Sequence, residues 1–157
     1  EVFPIATVLF NLAQYLLALI VFFPMALLFF RVSVAWSWIA FVPVLVLQIL
    51  FTVGLCFIFS TATVFYRDIK HFTEILLMLL FWLTPIIYDI QTVSDSLRTV
   101  LYMNPFSYFI LAYQDVLYRN AFISLDQLMV LFVLTFLSLL LGYSLFLMCK
   151  VRFAEEV

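Results

Sequence analysis

Four long stretches of this 157-residue chain carry no Asp, Glu, Lys or Arg: Val2 to Phe30, Val32 to Tyr66, Ile75 to Tyr88 and Gln127 to Cys149. An ionised side chain at the centre of a bilayer costs at least about 2.5–3.5 kcal/mol, so uncharged runs of this length are what a membrane solvent selects. A soluble domain would carry charge on roughly a quarter of its residues. Here 10 % are charged and 68 % hydrophobic, and the charges gather in short knots such as Tyr66-Arg67-Asp68-Ile69-Lys70-His71. The expected class is an all-α integral membrane protein, with the charged knots as its aqueous loops.

A helix rises 1.5 Å per residue, so about 20 apolar residues cross a hydrocarbon core of roughly 30 Å. On that measure the chain is one transmembrane domain, 1–157, with four spans at about 5–30, 36–65, 72–88 and 128–149. The first two are long enough to tilt or to extend into the headgroups. The third is near the lower limit and meets Pro85, which either kinks or ends it. Trp36 and Trp38 read as an interfacial belt at the start of the second span.

The segment from Asp89 to Asp126 is more polar. Its best helical stretch, Pro105 to Leu117, would reach about 20 Å, too short to span. Pro105 suits the first turn of a helix and Asn104 its N-cap. Phe106, Phe109, Ile110, Tyr113, Val116 and Leu117 fall on one helical face, with Ser107, Gln114 and Arg119 elsewhere. Leu97, Leu101 and Tyr102 make a shorter apolar strip before them. Two short helices, about 97–103 and 105–118, are therefore expected to dip into one side of the membrane and return. The alternative is a surface-lying amphipathic pair with no role in a pore.

Four crossings place Arg67, Lys70, Lys150 and Arg152 on one side and Arg31, Arg98 and Arg119 on the other, a bias of four to three. The positive-inside rule then puts the Arg67 loop and the carboxyl terminus in the cytoplasm. Several chemistries are excluded by composition. With one histidine, His71, and two cysteines set in or at the end of spans, neither a zinc site nor a disulfide framework can be built. Two glycines, Gly54 and Gly142, cannot make a phosphate-cradling loop, so any energy source sits on another chain. No charge lies deep in a span, which argues against a proton- or sodium-coupled carrier.

Several motifs follow one another in a familiar order: Glu1-Val2-Phe3-Pro4 before the first span, and Phe65-Tyr66-Arg67-Asp68-Ile69 with His71 after the second. Thr84-Pro85-Ile86-Ile87-Tyr88, Asn104-Pro105 with Tyr113, and a terminal Phe153-Ala154-Glu155-Glu156 complete the set. In these the chain resembles the ABC type-2 exporter permeases, within the branch that exports O-antigen, teichoic acid and capsular polysaccharide. The resemblance covers nearly the whole chain. It implies that an amino-terminal cytoplasmic helix and two spans precede the segment, which would hold the third to sixth spans. It further implies a homodimer in the cytoplasmic (inner) membrane of a bacterium or archaeon, paired with a cytoplasmic ATPase and moving a lipid-linked glycan outward. No cofactor is then expected on this chain, ATP and magnesium being on the partner, and no nucleic acid. Many relatives carry Arg where this chain has Gln114.

The resemblance also assigns roles. Arg67, Asp68, Lys70, His71 and Glu74 would form a coupling loop that feels the ATPase move, with Lys70 and Glu74 spaced for an i, i+4 pair; the plainer reading makes them span-end anchors. Pro85, Tyr88, Asn104, Pro105, Phe106, Phe109 and Tyr113 would form an outer gate. Tyr102, Tyr108 and Tyr113 are candidates for glycan contact, against the plainer reading as interfacial tyrosines. A permease for drugs or lipids, or a non-transporting membrane scaffold, is the alternative function.

Overall fold

The computed structural model describes residues 2–30, 35–66 and 68–149, and these are helical with no strand among them. Helix α1 is Val2–Phe30 and is followed by a tight 3-10 turn, Trp36–Ala40, that leads into α2, Phe41–Phe65. Then come α3, Ile69–Trp82, α4, Asp95–Met103, and α5, Pro105–Tyr113, which widens into a π-helical turn over Gln114–Tyr118. Helix α6, Leu125–Cys149, closes the order. The polar punctuation explains most boundaries. Ser124 and Gln127 form a reciprocal capping box at the start of α6, each side chain accepting the other's backbone N–H at 3.2 and 3.1 Å.

The frame of the molecule is the pair α2–α6. Thr135 Oγ1 donates to the Leu47 carbonyl and Ser138 Oγ to that of Phe51, partners 88 and 87 residues apart. Phe57 meets Phe146 further along. Because this offset stays nearly constant, the two helices run in the same direction. Their seam is built from small residues: a Cβ added at Gly142 would lie 3.0 Å from the Gly54 carbonyl carbon, and one at Gly54 only 2.5 Å from that of Ser138. Close backbone approach of this kind is how helices associate in lipid, where burying apolar surface gives no driving force. Helix α1 runs antiparallel to α2, with Phe23 against Trp38 and Phe41 at one end and Thr7 beside Cys56 toward the other.

Among the described residues, three helical stretches are long and apolar enough to cross a membrane, Pro4–Phe29, Trp36–Phe65 and Leu125–Cys149. The expected third span, 72–88, is not a single helix. Helix α3 ends at Trp82 after 14 residues, about 21 Å. Thr84 turns its hydroxyl back onto the Leu80 carbonyl at 2.6 Å, and Pro85 supplies no N–H and disfavours helical backbone in the residue before it. The apolar run is continuous, but its length is not the length of a helix.

From Leu83 the chain runs beside α5, turns at Asp89–Val93, and comes back as α4. Asn104 reverses it into α5, so α4 and α5 form a helical hairpin with Asn104 at its tip. Phe106 and Phe109 both pack on Phe51 of α2, with ring centroids 5.6 and 5.1 Å apart, while Ser37 Oγ donates to the Val116 carbonyl. Phe106 to Val116 is ten residues, so these contacts run about 15 Å along α5. The expected one-sided face of α5 needs correction. Ser107, Phe109, Leu111, Ala112 and Val116 are the buried residues, because one side of α5 meets α2 and α6 and the other meets α4 and the 83–93 stretch. Ser107, expected on the polar side, is fully buried and reaches the Leu83 carbonyl at 3.5 Å.

Candidate functional site

Asn104 holds the hairpin by its tip. Its backbone is extended (φ −82°, ψ 116°), Pro105 occupies the first helical position, and Oδ1 accepts the Phe106 N–H at 3.0 Å, an N-cap of α5. The other half of the amide does a second job. Nδ2 donates to the Leu80 and Leu83 carbonyls, both at 3.2 Å, and to Thr84 Oγ1 at 2.9 Å. Those acceptors are the loose carbonyl end of α3, so one side chain caps two helices at once, and at 4 % exposure it does so away from solvent.

The opposite end of the hairpin is fastened by charge. The π-helical turn, closed by Arg119 N to the Gln114 carbonyl, aims Gln114 and Asp115 sideways. Gln114 Nε2 donates to the Pro85 carbonyl at 2.7 Å, tying α5 to the irregular stretch after α3. Arg119 pairs with Asp115 at 2.9 Å and with Asp89 at 3.6 Å, and Gln127 at the start of α6 donates to the second Asp115 oxygen at 2.9 Å. Asn120 then takes a left-handed conformation (φ 52°) that Asn tolerates better than most residues, and the chain enters α6. Arg98 organises the neighbouring turn by donating to the carbonyls of Ile90, Gln91 and Val93.

The tyrosines are distributed rather than gathered. Tyr102 and Tyr108 face each other with centroids 6.0 Å apart, and Tyr88 donates to the Trp82 carbonyl and packs on Ile90, Leu101 and Leu111. Tyr113 turns the other way, donating to Gln48 Oε1 at 2.6 Å and stacking on Phe41. Pro85 is fully buried beneath this arrangement.

At the far end of the molecule Asp68, Lys70, His71 and Glu74 occupy the start of α3; Arg67 lies outside the described residues, as do Arg31, Lys150, Arg152 and the Phe153–Glu156 motif. The i, i+4 pairing expected of Lys70 and Glu74 is replaced by an i, i+3 contact between Glu74 and His71 at 3.7 Å, both exposed. Lys70 and Glu74 instead line a cleft of about 320 Å³ with Pro4, Thr7, Ser60 and Thr63.

The contacts made by Gln114, Asp115, Gln127 and Arg98 are not among the expectations from sequence. The Ser124-x-x-Gln127 capping box was legible locally; the reach of Asn104 and Gln114 across 20 residues or more was not.

Parallel apolar helices closed by small residues, with a capped hairpin wedged against them, define a multi-pass helical membrane protein. The chain belongs to the ABC-2 type transporter family, whose model matches residues 1–118. It is 31 % identical over 126 residues to a Klebsiella pneumoniae protein named O-antigen export system permease protein RfbA, covering 80 % of this chain and 48 % of that protein. A second Klebsiella pneumoniae protein of the same name is 32 % identical over 76 % of this chain and 46 % of its own length. One of that name from Myxococcus xanthus is 28 % identical over 100 % of this chain and 61 % of its own length. The chain thus spans about half the length of the curated relatives it matches first.

Proposed function

We propose that this chain is part of the permease subunit of an ATP-driven exporter that carries a lipid-linked polysaccharide of the O-antigen class outward across the cytoplasmic membrane. The observation that carries the reading is its family membership joined to three relatives that are all named O-antigen export permeases. In this reading a separate ATPase chain binds ATP and magnesium, and a second copy of the permease completes the pathway. The start of α3, with Asp68, Lys70, His71 and Glu74, faces that ATPase, and Arg67, next to it in sequence, shares the coupling role. The α4–α5 hairpin is the outer gate, re-entrant from the outer side, with Asn104-Pro105 at its tip.

The parallel course of α2 and α6 supports a return crossing between them, made jointly by α3 and α5 where one long helix would be too costly to continue past Pro85. At the joint of that composite crossing Asn104 and Gln114 satisfy the Leu80, Leu83 and Pro85 carbonyls and the Phe106 N–H internally, as a bilayer demands of backbone polar groups. Deleting the full-length permease gene should strip the polysaccharide from the cell surface and accumulate its lipid-linked form inside; normal surface polysaccharide would refute the reading. The orientation is checked separately. A cysteine at Ser94 should react with an impermeant thiol reagent from outside and one at Thr73 should not, and the reverse pattern would overturn the gate and coupling assignments together.

A further inference from the structure

The polar residues of α2 that do not face α6 lie on a second stripe. Gln48, Thr52, Cys56 and Ser60 recur at four-residue steps, and Thr63 follows. Helix α1, apart from Gln14 otherwise apolar, places Thr7, Asn11 and Tyr15 at the same spacing. The antiparallel course of the two helices sets these stripes opposite each other. They line a groove of about 220 Å³ that shares Thr7 and Cys56 with the cleft at Lys70 and Glu74, and shares Gln48 with a further space of about 180 Å³ under Phe106 and Phe109. From Gln48 to Thr63 the stripe covers about 22 Å, most of the roughly 30 Å of hydrocarbon.

Uncharged polar side chains inside a span face a bundle interior or a water-filled cavity, because lipid satisfies none of them. Four hydrogen bonds within these stripes stay inside their own helices: Asn11 Nδ2 donates to the Thr7 carbonyl, Thr52 to that of Gln48, Ser60 to that of Phe57 and Thr63 to that of Phe59. Each of the three hydroxyls thereby keeps its oxygen lone pairs available to the groove as acceptors. Among the described residues, no carboxylate or ammonium lines the groove above the cleft, where Lys70 and Glu74 stand together with opposite charge. At the other end the stripe meets the gate hairpin through the Tyr113–Gln48 bond.

We infer that the α1–α2 groove is a hydrated track that takes the uncharged, hydroxyl-rich sugar portion of the exported molecule. A ladder of hydroxyls and amides exchanges hydrogen bonds with sugar hydroxyls and water at similar strength. Several weak neutral sites in series let a chain advance, where one strong charged site would hold it. The track rests on the exporter reading for the identity of its occupant, but its hydration does not.

The test uses the full-length permease with its ATPase in native membranes, in a background whose other cysteines are serine. Cys56, and cysteines placed at Thr52 or Ser60, should react with a small, permanently charged, water-soluble methanethiosulfonate. Cysteines at Val46 and Leu50, exposed elsewhere on α2, should not. Reaction at the groove positions only with a lipid-soluble maleimide would mean that lipid fills the groove, and no reaction with either would mean that protein does; both overturn the track. A second arm replaces hydroxyls by near-isosteric apolar groups, Thr52→Val with Ser60→Ala. Export of polysaccharide should fall at least several-fold while assembly with the ATPase is kept, and unchanged export would overturn the sugar-binding role. If the wild-type protein labels as expected yet exports no polysaccharide, the exporter reading fails and the hydrated groove stands.

Discussion

The double duty of Asn104 can be separated by two substitutions at the one position. Asn104→Ala removes both functions. Loss of the cap typically costs about 0.5–2 kcal/mol. The two Nδ2 protons serve three acceptors, and two net hydrogen bonds at about 1 kcal/mol each bring the expected total to about 3 kcal/mol. No orphaned-carbonyl penalty is added, since Leu80 O keeps the Thr84 hydroxyl at 2.6 Å and Leu83 O keeps that of Ser107. Asn104→Asp retains the cap, because Asp and Asn cap equally well, but sets a carboxylate against three oxygens within 3.2 Å. A buried, unpaired charge costs several kcal/mol, so the Asp variant should be less stable than the Ala variant at neutral pH. Repulsion and burial favour the protonated acid in the folded state and raise its pKa there above the ordinary value of about 4. The Asp variant should therefore recover stability as pH falls toward that value, and lose it as pH rises through the raised pKa. Thermal unfolding of the full-length permease in lipid nanodiscs, with hydrogen exchange of the α5 amides, measures both. If the Asp variant proves as stable as the Ala variant at neutral pH, capping alone explains the residue and the clamp on α3 is refuted.

Gly142→Ala should destabilise by about 1–3 kcal/mol or more, since its Cβ would sit 3.0 Å from Gly54 backbone carbon that cannot move aside. Leu137→Ala, on the exposed side of α6, is the control, and equal melting temperatures for the two would sink the close-packed seam. Gln127→Ala removes half of the capping box and a partner of Asp115; about 1 kcal/mol is expected, read as faster exchange confined to the first turn of α6. Arg119→Gln should cost about 1 kcal/mol, with the difference from wild type shrinking as salt is raised, and a salt-independent loss would contradict the partial exposure of these pairs.

Local chemistry was legible in the residues and distant chemistry was not. Uncharged runs disclosed the membrane helices, and Asn104-Pro105 disclosed a cap and a first turn, because each depends on neighbours within a few positions. The end of α3 was hidden: Leu83 to Tyr88 is as apolar as a helix, and its backbone is satisfied without one by Asn104 and Ser107 on the Leu83 carbonyl, Ile86 N on that of Thr84 and Gln114 on that of Pro85. The α2 stripe from Gln48 to Thr63 has a period visible in the sequence, yet its facing stripe lies on another helix. The coupling readings at Asp68, Lys70 and His71 rest on resemblance, since those side chains touch little that the fold itself constrains. What the structure adds is an asymmetry between the two ends of the hairpin. Its tip is held by uncharged bonds buried from solvent, which salt does not screen and whose loss leaves a donor unsatisfied. Its rim is held by partly exposed ion pairs, each worth little and weakened by salt. A hairpin fastened in this way opens first at Arg119 and pivots about Asn104, so the rim, rather than the tip, is its looser end.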